Sequence, residues 1–338
     1  MTSSPTSPRP VRRLLGTGLA AALLLTACGG GDSGGGETGS AGGGEAAAPG
    51  GPLTFATGGT GGVYYPYGGG IANLLSSELQ GTTVTVQETN ASVDNMQLLA
   101  SGQAQIAFAL GDVVADAVNG ENTFTEPLPI CSLGNIYNNF THVFTTADTG
   151  ITTIEDLRGK RVSPGAVGSA SEVTADRIMQ AAGLDPQADI ERAQLGVAET
   201  VAAIQDGTVD AGFWSGGLPT GAIVDLASSA DLVLIPTGEY ADAMAEQYGD
   251  YYFADEIPAD TYEGQPEASP QVVSPNILVV RDDMDETLQQ DITRTIFENQ
   301  EQLLTVHPAA EELDPATADE VEFIETCPGA QAYFDSVS

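Results

Sequence analysis

Two stretches of this chain align without a gap: "NMQLLASGQAQIAFALGD" at residues 95–112 and "TVAAIQDGTVDAGFWSGG" at residues 200–217. Each reads as an amphipathic helix, a glycine suited to the helix C-terminus (Gly102, Gly207), and a short apolar strand ending in small polar residues. A second pair lies upstream at nearly the same spacing, "FATGGTGGVYY" (55–65) and "VSPGAVGSASE" (162–172), each a strand end, a glycine-rich turn and a helix start. One such echo is what any two β-turn-α units could share. Two in the same order favour two similar α/β lobes.

The chain also returns. After "DLVLIPTG" comes the apolar strand "VVSPNILVVRDDM" and the long helix "DETLQQDITRTIFENQEQLL", which most simply rejoin the first lobe. The length from Leu53 onward also exceeds what one compact core usually holds. The expected organisation is lobe 1 over residues 52–148 plus 236–338 and lobe 2 over 149–235, a hinged clamp crossed twice by the chain. In open α/β sheets ligands sit outside the carboxyl ends of the strands, so the glycine-rich ends of both lobes should meet at one cleft.

The first residues belong to export. A basic segment and an apolar run from Leu14 to Leu25 are too short for a membrane helix and read as a signal peptide over 1–27. Leu25-Thr26-Ala27-Cys28 resembles the bacterial lipobox, in which the cysteine becomes the acylated first residue; a plain signal with an incidental cysteine is the alternative. Residues 28–51 form a Gly/Ser/Ala-rich tether, placing the folded part at the outer face of the cytoplasmic membrane through lipid on Cys28. The remaining cysteines, Cys131 and Cys327, can pair in an exported chain or remain two buried thiols.

The chain carries 47 acidic and 10 basic residues, a net charge of −37. Nucleic acid and anionic membrane surfaces are poor partners for it. The acids are spread along the sequence, as in "HPAAEELDPATADEVEFIE", which suits a solvated, salt-adapted surface and a monomer.

The first turn, with Gly58, Thr60, Gly61 and Gly62, combines permissive backbone with a following helix N-terminus, whose free N–H groups and dipole favour an anion. Gly168 to Ser171 repeat the device, with Ser169 and Ser171 adding hydroxyls. Opposed helix N-termini can hold one or two carboxylates without arginine, and no arginine lies in either turn. The turn is neither a dinucleotide fingerprint with a placed ribose-binding acid nor a Walker loop, and no cofactor is expected. Tyr64, Tyr65, Tyr67 and Trp214 can wall a pocket, although about half should simply be core. Ser92, with Asn90 nearby, is an expected N-cap that turns a third helix start toward the cleft. Asp112, at the end of "IAFALGD", either accepts a ligand ammonium or caps the next helix, and capping is the preferred reading.

These motifs, with "ITTIEDLRGKRVSPGAVGSASEVTADRIM", "ETVAAIQDGTVDAGFWSGGLPTGAIVDLA", "IPADTYEGQ" and "CPGAQAYF", resemble the TAXI family, solute-binding subunits of tripartite ATP-independent periplasmic (TRAP) transporters, from Leu53 to Phe334. The resemblance implies a type II periplasmic-binding-protein fold, membrane permease subunits as partners, and ligands such as glutamate and related dicarboxylates. It places ligand contacts on Gly58 to Tyr65, Asn90, Ser92, Gly168 to Ser171, and Phe213 through Trp214 and Ser215 to Gly216. The sequence departs from the family at Ala170, where glycine is usual, and at Cys327, where histidine often precedes Pro-Gly-Ala; a private disulfide with Cys131 fits the second change.

The reading is a binding protein for a small carboxylate or amino acid. The same fold serving an ATP-driven importer is the near alternative. A two-lobed exported enzyme is the rival from another class. Against it stand only two histidines, His142 and His307, and no assembled metal or Ser/His/Asp constellation.

Overall fold

The computed structural model describes residues 50–337. Statements resting on residues 1–49, which include the signal peptide, Cys28 and nearly all of the tether, lie outside the described residues. The first part of the chain alternates strand and helix: β1 (Pro52–Ala56), α1 (Tyr64–Glu78), β2 (Thr83–Gln87), α2 (Ser92–Ala100), β3 (Ile106–Leu110), α3 (Gly111–Asn119). A long strand, β4 (Ile130–Thr146), leads to a second alternation: β5 (Arg161–Ser163), α4 (Ala170–Ala181), β6 (Glu191–Arg192), α5 (Val197–Gln205), β7 (Ala211–Gly216), α6 (Gly221–Ser229) and β8 (Leu232–Leu234). The chain closes with α7 (Ala241–Tyr248), β9 (Phe253–Ile257), the long β10 (Ser269–Arg281), α8 (Glu286–Glu298), α9 (Gln300–Leu304) and α10 (Pro328–Val337).

All strands join one mixed sheet whose main path runs β2-β1-β3-β10-β4-β7-β5-β6. The path is nearly self-symmetric. In the first half β1 pairs in parallel with β2 and β3, and β10 adds antiparallel to β3; in the second β5 pairs in parallel with β6 and β7, and β4 adds antiparallel to β7. The aligned stretches of the sequence thus fold as equivalent units, α2-β3 matching α5-β7 and β1-α1 matching β5-α4. This is the type II periplasmic-binding-protein fold, a mixed α/β architecture around an open sheet.

Three apolar clusters fill the halves. One surrounds β1, β3 and α1, with Phe55, Phe108, Ile71 and Met96 fully buried. The other two flank the second half, one with Ile178, Met179 and Phe213, the other with Phe144, Ile223 and Leu226. β4 and β10 pass from the first cluster to the others: Ile136 and Tyr137 lie in the first, Val143 and Phe144 in the second set, and Ile277 and Val273 divide the same way. The lobe boundary read from sequence differs here. Ala241, Met244, Tyr251 and Tyr252 pack with Ile178 and Met179, so the segment after residue 236 stays with the second half until β10 carries the chain back. α7 offered no signal of its owner, since an amphipathic helix reports a buried face and not the surface that buries it.

Cys131 on β4 is disulfide-bonded to Cys327 at the start of α10, with Cα atoms 5.0 Å apart. The same junction is held by Ser132 N–H donating to Glu325 O (2.9 Å) and Cys327 N–H to Ser132 O (2.9 Å).

Candidate ligand cleft

The strand ends of both halves face a cleft of about 1060 Å³ lined by Gly59, Thr60, Gly61, Asn90, Ala91, Ser169 and Trp214 among others. At its base lies a nearly filled chamber of about 10 Å³, room for roughly one water. Val63, Tyr64, Ala91, Ser92, Leu110, Tyr137, Ala170, Ser171, Trp214, Ser215 and Gly216 enclose it. Three helices begin on this wall: α1 at Tyr64, α2 at Ser92 and α4 at Ala170. Their first turns meet at the chamber from both halves of the sheet.

The opening turn needs glycine for proximity. None of Gly58, Gly59, Gly61 and Gly62 has positive φ, which corrects the expectation that they supply it. A Cβ on Gly61 would stand 2.9 Å from the Ala198 Cβ, and one on Gly62 would stand 2.6 Å from the Trp214 ring. Both contacts cross from the first half to the second. Gly168, by contrast, does adopt φ +80°, and its carbonyl accepts from Val93 N–H (3.1 Å) and Asp94 N–H (3.3 Å) at the start of α2. One helix N-terminus of the first half is thereby occupied by the backbone of the second.

Ser92 is not the N-cap of α2. That position is Ala91, at φ 77° and ψ −142°, a strained conformation for a residue with a side chain and one concentrated at functional sites. Ser92 is fully buried, and its Oγ accepts from Leu110 N–H (3.2 Å), tying α2 to the end of β3. Asn90 is exposed at the cleft mouth and donates to Asp94 Oδ2 (2.8 Å). In the second half Ser169 caps α4, accepting from Glu172 N–H (3.2 Å) and donating to Ala166 O (2.7 Å). Ser171 Oγ accepts from Ser215 N–H (2.9 Å), and the Ser215 and Thr141 hydroxyls lie 2.9 Å apart.

The aromatics divide. Tyr64 and Trp214 line the chamber, with the indole N–H donating to Thr220 Oγ1 (3.0 Å). Tyr67 is core, stacked on Phe108, and Tyr65 is half-buried away from the cleft lining. Phe213 also belongs to the core cluster and not to the cleft. Asp112 lines neither space. It is fully buried, accepting from Thr174 Oγ1 (2.8 Å) and Tyr252 OH (2.6 Å), with Arg177 Nη1 at 3.9 Å. A carboxylate satisfied on three sides is not available to a ligand ammonium.

Sequence reasoning missed the floor. Tyr137, Asn139, Ser274 and Asn276 sit on facing rungs of β4 and β10, Tyr137 opposite Asn276 and Asn139 opposite Ser274. Tyr64 OH donates to Asn276 Oδ1 (2.6 Å). Burial, the largest influence, pushes the phenols of Tyr64 and Tyr137 far up, so both remain protonated donors. The signal was present: "IYNNFTH" and "VSPNILVV" each place asparagine among the apolar residues of a strand, and buried asparagine calls for a partner.

No charged side chain encloses the chamber. The outer cleft holds Glu88, Asp94 and Glu199 and no lysine or arginine. Among the described residues no group of three His, Cys, Asp or Glu side chains could hold a metal ion.

An open mixed sheet in two equivalent halves, with a cleft between their helix starts, defines a protein of the periplasmic-binding type II architecture. The chain belongs to the NMT1-like family, whose model matches residues 55–336. Among solved structures it is similar to PhnD1 from Prochlorococcus marinus in complex with methylphosphonate, at 10% identity and a TM-score of 0.53, covering 78% of this chain and 90% of that one. A protein of Bordetella bronchiseptica RB50 matches at 16% identity and a TM-score of 0.50, covering 83% and 82%. The periplasmic aliphatic sulphonate binding protein SsuA from Escherichia coli matches at 15% identity and a TM-score of 0.45, covering 84% and 82%.

Proposed function

We propose that this chain is the extracytoplasmic solute-binding protein of an importer, capturing a small carboxylate between two lobes that close on it. The observation that carries the reading is that the first residues of α1, α2 and α4, from both halves, line one uncharged, hydroxyl-rich chamber, the α2 start being held by the Gly168 carbonyl in this closed arrangement. Helix starts favour a carboxylate without a cationic side chain. β4 and β10 are the strands about which the lobes would move, because both run from the apolar cluster of the first half into those of the second. Lipid on Cys28 would hold the protein at the outer face of the cytoplasmic membrane.

Two transporter classes suit such a protein. An ATP-driven importer is placed first, since family and fold accommodate it directly. A TRAP permease rests on the motif resemblance alone. Uptake by the reconstituted system that requires ATP, or instead an ion gradient, separates them.

A thermal-shift screen of amino acids, monocarboxylates, dicarboxylates and 2-oxo acids tests the binding role. A ligand at a hundredfold its Kd adds about 2.7 kcal/mol to stability and raises the midpoint by several degrees. A screen in which no carboxylate moves the transition overturns the reading.

A further inference from the structure

We propose that Tyr137, backed by Asn139 and Asn276, is the headgroup subsite of the cleft, and that the ligand carries one carboxylate and no second anionic group. The inference rests on the solute-binding reading and narrows its ligand.

Eight buried side-chain atoms among the described residues lack a hydrogen-bond partner, and five belong to two alternate rungs on one face of the sheet: Tyr137 OH, both amide atoms of Asn139, Ser274 Oγ and Asn276 Nδ2. A buried polar group without a partner costs about 1–3 kcal/mol, so such a concentration is maintained against folding stability. It stands where the strands shared by both halves pass beneath the chamber. Tyr137 is 1% exposed and helps enclose the chamber, and its hydroxyl, beside the Asn139 amide, has no partner in good hydrogen-bond geometry; Tyr64 donates to Asn276 Oδ1. Asn139 lies beside both phenols. The Tyr137 O–H, with the amide N–H groups of Asn139 and Asn276 behind it, makes a donor site matched to a carboxylate oxygen, whereas the Tyr64 O–H is already given to Asn276 Oδ1. The helix starts above add the favourable potential.

The mouth has the opposite character. A ligand with its carboxylate on the floor points its far end toward Glu88, Asp94 and Glu199, with no basic residue in the lining. A second carboxylate there meets like charge. A neutral tail meets none, and an ammonium is attracted. The layout therefore sorts ligands by their far end.

Calorimetry on the full chain with matched pairs tests this: L-glutamine against L-glutamate, and butyrate and 4-aminobutyrate against succinate. The single-headed member should bind at least tenfold tighter in each pair that binds, and Glu88→Gln with Glu199→Gln should narrow the gap at least threefold. A dicarboxylate that binds as tightly as its partner overturns the inference and leaves the function standing. Failure of every carboxylate, including those of the wider screen, overturns the function and the subsite with it. With the tightest of these probes, Tyr137→Phe should weaken binding at least tenfold while the ligand-free transition temperature holds or rises, because the lost hydroxyl makes no well-formed hydrogen bond in the ligand-free protein. A change under twofold removes Tyr137 from the site.

Discussion

At the scale of single residues, burial decides which polar groups serve structure and which remain for a ligand. His142 shows the first outcome. Its ring is fully buried, with Nδ1 2.9 Å from Phe140 O and Nε2 2.8 Å from Tyr262 OH, and the phenol in turn accepts from Thr220 N–H (3.0 Å). With Nδ1 carrying the proton, Nε2 accepts from the phenol and the neutral ring is satisfied on both sides. Burial pulls its pKa down to about 4 from 6.5. The folded protein thus resists a proton that the unfolded chain accepts. This contribution is complete above pH 6.5 and is lost as pH falls from 6.5 through about 4, at up to roughly 1.4 kcal/mol per pH unit. Urea titrations at pH 7 and pH 4.5 should show a smaller loss of stability on acidification for His142→Gln than for the parent; equal losses would contradict the assignment. Tyr64, Trp214, Ser171 and Ser215 were legible as cleft residues because each sits in or beside a recognisable turn. Tyr137 and Asn276 were not. They are neighbours only through the register of two strands 139 positions apart in sequence, and no local period encodes that pairing.

Between elements, the ion pairs repeat this division. Arg177 on α4 donates to both carboxylate oxygens of Asp116 on α3 (3.0 and 2.8 Å) and to Tyr252 OH (3.1 Å), with its guanidinium 4.5 Å from the Tyr248 ring centre. The cluster joins the last helix of the first alternation to the first helix of the second. Burial raises the Asp116 pKa, and Arg177 opposes that shift. Arg177→Met leaves Asp112 and Asp116 buried without their cation, a change that costs about 3–5 kcal/mol. Asp116 should then take up a proton more readily in the folded state, so the variant recovers part of the loss as pH falls from 7 to 5. Chemical denaturation at both pH values checks the direction; a loss that grows toward pH 5 would refute it. Asp112 was legible as a strand-end carboxylate but its direction was not, because the first residues of a helix can face a cleft or a neighbouring helix with the same sequence.

For the whole molecule, duplication was the legible feature, since each half retained helix, glycine and strand in the same order. The pairing that closes each half was less so, because β10 and β4 exchange halves. Charge is a property of the whole chain, and at −37 it acts on a ligand before any residue touches it. An approaching monocarboxylate is repelled over a distance set by the Debye length, roughly 30 Å at 0.01 M salt and about 3 Å at 1 M. Added salt shortens that reach, so association of a carboxylate should quicken between those limits while dissociation, governed by the buried floor, changes little. A zwitterion with a neutral side chain, such as L-glutamine, carries no net charge and should show a far flatter dependence. A cationic ligand, drawn in by the same field, should associate more slowly as salt rises. Stopped-flow titration at several salt concentrations with butyrate and with L-glutamine reads these slopes directly. A rate that falls with salt for butyrate would mean that the field at the mouth is locally positive, against the three carboxylates that line it.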